Sequence, residues 1–330
     1  MGVSAQTITV VMYHYVRNLA NSRYPRIKGL SVERFRGQLG YLADNYDVID
    51  AALLRAILRG ERKLDRNAAF LTFDDGLADH IEFVLPVLEE RGLSGAFFVS
   101  ALPLVAQVVL DVHKIHFILD AVEDCQELVN ELLAELGLWR KRIDLSSDED
   151  YMAQWARDSR WDPKEIVFVK CMLQKALPRC VRQGITDAMF RKFVTEDEAA
   201  FASNLYMTGK DLKTLKESGM EIGLHGYDHE WLHQLTQDEQ RADLALSLEV
   251  LSRYGLNDLD WMMAYPYGAY NDNLLDLLSD SNCCAAFTTA ACRVEPGSFA
   301  NLELPRLDTN DLPFAPLKEK YTCEPSNKEA

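Results

Sequence analysis

The sequence of 330 residues lacks an excess of positive charge and any long apolar run. Its 35 Lys and Arg residues stand against 51 Asp and Glu residues, which gives a formal net charge of −16. This balance argues against nucleic acid or an anionic membrane as a partner held by bulk charge. Since no run of about 18 apolar residues occurs, we expect no membrane-spanning segment.

Cysteine usage and the composition of the amino terminus indicate a cytoplasmic protein. The seven cysteines include no Cys-x-x-Cys pair, and their odd number is typical of a reducing compartment. No basic residue precedes the apolar stretch Ile8–Met12, which is also too short for the apolar region of a secretion signal. We therefore expect a cytoplasmic location.

Strand and helix patterns alternate in both terminal parts of the chain. Apolar segments such as Ile8–Tyr15 and Ala68–Phe73 indicate buried strands, and amphipathic segments between them indicate helices. Seven or eight such units predict an α/β fold with a parallel sheet closed into a barrel, with an open doubly wound sheet as the alternative. No Gly-rich phosphate loop follows the first strand, which disfavours a dinucleotide-binding fold.

The alternation is interrupted between residues 102 and 204. This segment is rich in Leu, Glu and Asp and has helical periodicity, so it predicts an all-helical insertion that serves as a lid or a homodimer contact. The expected division is residues 1–101 for the first part of the barrel, 102–204 for the insertion and 205–330 for the second part.

Candidate catalytic residues follow the predicted strands, at the end of a barrel where chemistry takes place. His14 follows the first strand, Asp74 and Asp75 follow a second, and His225 follows a third, with His229 four residues on. Two imidazoles and a carboxylate predict a catalytic metal centre, and the adjacent carboxylate is a candidate general base. Each pattern alone is weak, because a surface His pair and a turn-forming Asp-Asp-Gly have the same spacing.

Together, three motifs resemble the polysaccharide deacetylase (NodB-homology, carbohydrate esterase family four) superfamily. Thr72–Gly76 is similar to the first motif, His225–His229 to the second and Ala264–Gly268 to the third. The resemblance covers about Ile8–Val99 and Tyr206–Pro313. It implies a distorted (β/α) barrel and metal-dependent hydrolysis of an N-acyl group on an amino sugar.

The resemblance also implies roles for the matching residues. Asp74 matches the catalytic base, which takes the proton of the attacking water. Tyr265, Pro266 and Tyr267 match the substrate groove, in which the Tyr267 backbone N–H helps to hold the oxyanion. One divalent ion is implied, with zinc as the default and cobalt, nickel or manganese as alternatives. Its ligands are matched by Asp75, His225 and His229.

Two departures from the family pattern concern the residue that restrains the catalytic base and the residue that acts as the general acid. Ala264 stands where the third motif usually has an Arg, and the late Leu-x-His segment that usually supplies the general acid is missing. Tyr13–Val16 is similar to the first strand of a permuted branch, the poly-N-acetylglucosamine deacetylases, whose equivalent His is the acid. We therefore predict His14 as the acid, with a core His as the alternative. Arg306 is the candidate partner of Asp74, with an ordinary surface ion pair as the alternative.

The loop after the first strand carries only basic charges, at Arg17, Arg23, Arg26 and Lys28. It is either a solvated loop or a clamp for an anionic group on the substrate. The hypothesis is an N-deacetylase or deformylase of a nucleotide- or lipid-linked amino sugar in surface-polysaccharide biosynthesis. The alternatives are a hydrolase of a small non-sugar amide, a non-haem iron oxygenase and a degenerate sugar-binding barrel.

Overall fold

The computed structural model describes residues 6–159, 162–255 and 259–312, so the predicted second barrel segment is described only as far as residue 312. The chain forms two compact units. The larger comprises Met1–Asn18, Gly29–Ala106 and Leu205–Ala330, and the smaller comprises Leu19–Lys28 and Gln107–Asn204. The strands are β1 (Ile8–Tyr13), β2 (Val16–Arg17), β3 (Leu30–Ser31), β4 (Asp47–Val48), β5 (Ala68–Phe73), β6 (Ala96–Val99), β7 (Glu221–Leu224), β8 (Trp261–Ala264), β9 (Cys283–Phe287) and β10 (Leu307–Asp308).

A parallel sheet forms the centre of the larger unit. Its strand order is β10-β1-β5-β6-β7-β8-β9, and β4 also pairs with β5. Beyond β9, Leu304 forms a parallel bridge with Phe287, and Leu307 then pairs with Val11 of β1. This segment therefore connects the two outer strands, and the sheet is a distorted (β/α) barrel, which confirms the predicted fold class.

Strands β1 and β5 determine where the polar residues lie. Every residue of both strands is buried, as expected for parallel strands covered on both faces. The two strands pair in register from Ile8 with Ala68 to Tyr13 with Phe73. Because both strands end at the same level, the residues that follow them, His14 and Asp74, are neighbours.

Helices surround the sheet and begin at polar capping residues. Thr208 and Thr236 each form the predicted capping box, in which the threonine hydroxyl accepts from a backbone N–H of the first turn. No helix of the described residues is long and apolar enough to cross a membrane. The helices are α1 (Val32–Asn45), α2 (Ala51–Leu58), α3 (Leu85–Arg91), α4 (Leu102–Val105), α5 (Asp111–Ala121), α6 (Cys125–Trp139), α7 (Asp148–Trp155), α8 (Lys164–Cys171), α9 (Arg179–Phe193), α10 (Glu198–Leu205), α11 (Gly209–Glu217), α12 (Gln237–Ser252) and α13 (Asp272–Asp280).

The smaller unit is helical and differs from the predicted insertion at its boundaries. It begins at Gln107 rather than at residue 102, because α4 belongs to the barrel unit, and it also includes Leu19–Lys28. In its core, the rings of Phe117 and Phe201 pack edge to face with their centroids 4.7 Å apart. The nearly buried ammonium group of Lys114 forms ion pairs with two acidic side chains, which offset the cost of burying its charge.

Candidate active site

Polar residues follow four strands of the barrel at their carboxyl ends. His14 follows β1, Asp74 and Asp75 follow β5, His225 follows β7, and Tyr265 follows β8. The carboxyl ends of parallel strands meet at one end of a barrel, so residues far apart in the sequence converge there.

Asp75, His225 and His229 form a buried cluster. One nitrogen or oxygen atom from each residue lies within 4.8 Å of the others. The Nε2 atoms of His225 and His229 are 3.3 Å and 3.4 Å from Oδ1 of Asp75. The carbonyl of Ala264 lies 2.8 Å from Nδ1 of His225, so a neutral imidazole donates its proton there and presents the lone pair of Nε2 to the cluster. Two imidazole nitrogens and a carboxylate oxygen are a donor set that suits zinc.

The charges around His225 favour a cation. Burial acts to lower the pKa of this imidazole, but the carboxylates of Asp74 and Asp75 outweigh it and raise the pKa above its ordinary value. Two acidic side chains in one buried site therefore stabilise positive charge between them, which is the electrostatic requirement for holding a divalent ion.

Asp74 is almost fully buried and is held by Arg306. Nη1 and Nη2 of Arg306 donate to Oδ1 and Oδ2 of Asp74, both at 2.8 Å. The same guanidinium also donates to the hydroxyl of Thr72 and the carbonyl of Thr288. Burial acts to raise the pKa of Asp74, but the positive charge and the hydrogen bonds of Arg306 lower it below its ordinary value. Asp74 is therefore an ionised carboxylate with a fixed orientation.

His14 also lies near the carboxylate of Asp74. Its Nε2 atom is 3.9 Å from Oδ2 of Asp74, and its side chain is 37% exposed. Nε2 of His80 lies 3.0 Å from the carbonyl oxygen of His14. Burial lowers the pKa of His80 to about 4, so His80 is neutral at pH 7 and donates its N–H to this carbonyl. His80 thus holds the backbone of His14.

The third motif forms a tight turn beside the cluster. Tyr265 is buried and donates its hydroxyl hydrogen to the carbonyl of Leu302, and Pro266 begins the turn. Tyr267 adopts a left-handed backbone conformation with φ 58°. Its ring packs edge-on against His229, with centroids 4.6 Å apart, and stacks on Trp231 at 4.2 Å. Trp231 was not predicted, although its position two residues after the second motif is a usable signal.

Backbone strain is concentrated at these residues. Asp75, His229 and Tyr267 have φ angles of 77°, 60° and 58°, in the left-handed region that L-residues adopt at a cost. Non-glycine residues in such conformations cluster at functional sites, where the surrounding contacts hold them in place.

The four basic residues of the first loop are divided between the two units. Arg17 belongs to the barrel unit and donates to both carboxylate oxygens of Asp79 at 2.7 Å and 3.0 Å. Arg23, Arg26 and Lys28 belong to the helical unit, in which Arg26 and Lys28 pair with acidic residues. The expected anion clamp therefore gains no support from these contacts.

These features define a barrel with a buried carboxylate and imidazole centre, and one segment of the chain matches a known family. The sequence model described as polysaccharide deacetylase matches residues 188–284. This match confirms the resemblance to the polysaccharide deacetylase family over the matched segment. The matched segment contains the second and third motifs, whereas the first motif lies on the other side of the helical insertion. A comparison with curated proteins finds no match.

Solved structures with the same fold are deacetylases by name. The Streptococcus pyogenes deacetylase PplD, in complex with acetate, is 16% identical, with a TM-score of 0.56 over 92% of this chain and 93% of that one. IcaB from Ammonifex degensii is 18% identical, with a TM-score of 0.53 over 92% and 91%. A de-N-acetylase from Aggregatibacter actinomycetemcomitans is 14% identical, with a TM-score of 0.53 over 92% and 96%. At these identities the likeness shows the shared fold.

Proposed function

We propose that this chain is a metal-dependent hydrolase that removes the acyl group from an N-acylated amino sugar. The observation that carries the proposal is the juxtaposition, at one end of the barrel, of the Asp75-His225-His229 cluster with Asp74. The structural neighbours are deacetylases and one was solved with acetate, which supports acetyl as the acyl group.

The proposed division of labour follows from the charges and distances. Asp75, His225 and His229 would hold a divalent ion, which supplies polarisation of the amide carbonyl and a lowered pKa for a water ligand. Asp74 accepts the proton of the attacking water, since Arg306 keeps its carboxylate ionised and oriented.

His14 and Tyr267 complete the proposed reaction. His14, partly exposed and close to Asp74, donates a proton to the departing amine. The turn that contains Tyr267 lies against His229, so its backbone N–H is the proposed donor to the oxyanion, with Tyr265 and Pro266 shaping the groove.

The substrate that we propose is an amino sugar linked to a nucleotide or lipid carrier, as an intermediate of surface-polysaccharide biosynthesis in the cytoplasm. None of the six cysteines that the structure describes forms a disulfide bond, which supports a reducing compartment.

The test is release of acetate and of a free amine by zinc-loaded protein. The substrates are N-acetylglucosamine oligomers, nucleotide-linked and lipid-diphosphate-linked N-acetyl sugars, and small cyclic amides. Release is expected from a nucleotide-linked or lipid-linked sugar, and the better of the two identifies the carrier; release from the oligomers alone would contradict a carrier-linked substrate. Release from the cyclic amides alone would instead identify a non-sugar amidohydrolase, and binding of sugars without any release would identify a degenerate barrel.

Two matched substitutions separate the roles of the adjacent carboxylates. Asp74→Asn should abolish turnover while about one zinc ion per chain remains bound, because the metal ligands are intact. Asp75→Asn should lose both turnover and zinc. Turnover and metal content, measured by atomic emission on the same samples, check this assignment. Loss of zinc from the Asp74 variant alone would reverse it.

A further inference from the structure

Hydrogen bonds hold the loop between the two imidazoles of the proposed metal site. The hydroxyl of Ser100 donates to the carbonyl of His225 at 2.8 Å. The amide of Leu102, at the start of α4, donates to the carbonyl of Tyr227, also at 2.8 Å. The segment that follows β6 therefore holds the carbonyl groups of His225 and Tyr227 in place.

The peptide unit in the middle of the loop is held at both ends. Its carbonyl, from Gly226, accepts a hydrogen bond from the amide of Ala101 at 3.2 Å. Its N–H, from Tyr227, points to the carboxylate of Asp243 on α12, with distances of 3.1 Å and 3.0 Å to Oδ1 and Oδ2. A charged acceptor makes this the stronger kind of backbone hydrogen bond.

Gly226 explains why an external acceptor is needed. Its φ is +69°, and a Cβ added there would lie 3.7 Å from Oδ1 of Asp243 and 3.3 Å from Cγ of Pro266. Glycine permits this left-handed conformation and the close approach of the neighbours, but it also leaves the adjoining peptide unit free to rotate at little steric cost. The half-buried carboxylate of Asp243 opposes that rotation.

We propose that Asp243 is a positioning residue for the metal centre. By holding the Gly226–Tyr227 peptide unit, it fixes the separation of the His225 and His229 imidazoles and so sets the affinity for the divalent ion. This inference rests on the metal site of the proposed function and adds a residue that lies outside all three motifs.

Zinc affinity of three variants tests the proposal, measured by competition with a chromophoric chelator. Asp243→Ala should weaken zinc binding about ten- to a hundredfold, as expected for loss of a group that orients metal ligands. Asp243→Asn keeps an oxygen acceptor and should stay within about threefold of the wild type. Asp238→Ala on the same helix is the control and should bind zinc as the wild type does, since its side chain is 95% exposed.

Further readouts separate positioning from general stability. The metal-free Asp243→Ala protein should unfold at nearly the wild-type temperature, and its kcat should recover at saturating zinc. Its cobalt complex should show an altered visible absorption spectrum, because the ligands are less ordered. Zinc affinity of Asp243→Ala within threefold of the wild type would overturn the inference.

If the alanine variant does not fold, hydrogen exchange of the Tyr227 amide in the metal-free wild-type protein tests the inference instead. The Tyr227 amide should exchange at least about tenfold more slowly than an unstructured amide, since a hydrogen bond must open first. Exchange at the unstructured rate would overturn the inference. Wild-type protein that binds no zinc would overturn the proposed function and this inference together, whereas equal binding by wild type and Asp243→Ala would overturn the inference alone.

Discussion

Asp74 carries a buried charge whose burial cost is offset chiefly by Arg306. The Arg306 side chain is 0% exposed, and its pair with Asp74 is bidentate. Taking both charges out of water costs several kcal/mol per ion, so the pair adds orientation more than net stability. Removing one member, however, leaves the other buried without its counter-charge.

Arg306→Gln should therefore destabilise the protein by about 3–5 kcal/mol, because Asp74 stays buried without a cation. Chemical denaturation monitored by circular dichroism checks the change. Arg253→Gln is the control, since the Arg253 pair with Glu249 is exposed on a helix surface and should change stability by less than about 0.5 kcal/mol. If Arg306→Gln lowered the free energy of unfolding no more than the control does, the ion pair of Arg306 with Asp74 would not be buried in solution.

At the level of secondary structure, the segment after β5 departs from a simple helix. The apolar pattern of Ile81–Arg91 predicts one α-helix, but the structure has a π-helical turn, His80–Val84, before α3. Pro86 lacks the backbone N–H that would continue the α-helical pattern, so the hydrogen bonding changes there. The turn buries His80 against the rings of Phe73 and Phe97 and directs it to the carbonyl of His14.

His80 should make stability depend on pH. Its pKa is about 4 in the folded protein and about 6.5 in the unfolded chain, so the unfolded state binds the proton more readily. The contribution of neutral His80 to the free energy of unfolding is fully present above about pH 6.5. It is lost as the pH falls from there to about 4, by up to about 3 kcal/mol. Denaturation curves between pH 4 and 7 check this. His80→Gln keeps a donor for the His14 carbonyl, and its free energy of unfolding should vary less with pH between 4 and 7. An unchanged slope would contradict this role of His80.

Strands were easier to predict than the contacts between distant segments. Ala68–Phe73 has the predicted bounds because polar residues flank a short and mostly apolar run, whereas the first strand ends at Tyr13 rather than Tyr15. The motifs identified the cluster of Asp75, His225 and His229. The stack of Trp231 on Tyr267 and the assignment of Leu19–Lys28 to the helical unit depend on tertiary packing, which local periodicity does not encode.

On the scale of the whole molecule, the last described segment joins the two outer strands of the barrel. Leu304 contacts β9, Leu307 pairs with β1, and Arg306 between them reaches Asp74. One short stretch of chain therefore both covers the edges of the sheet and supplies the counter-charge of the proposed base.

A chain that ends at Gly297 should fail to fold, because it exposes the edges of β1 and β9 and leaves Asp74 without Arg306. Size-exclusion chromatography and near-ultraviolet circular dichroism check this. Full-length Arg306→Gln, which loses the contacts of the guanidinium but keeps the closing segment, should remain folded and is the comparison. A cooperative unfolding transition in the shortened chain would show that barrel closure is dispensable.

The pairing of β1 with β5 has a consequence for refolded protein. A shift of two residues is the smallest that keeps every side chain on its own face of the sheet, and it would move His14 by about 6.6 Å relative to Asp74. Such a misaligned form would retain its strands and most of its burial yet separate the proposed acid from the proposed base. Specific activity per folded molecule would then measure alignment errors that spectroscopic probes of secondary structure do not detect.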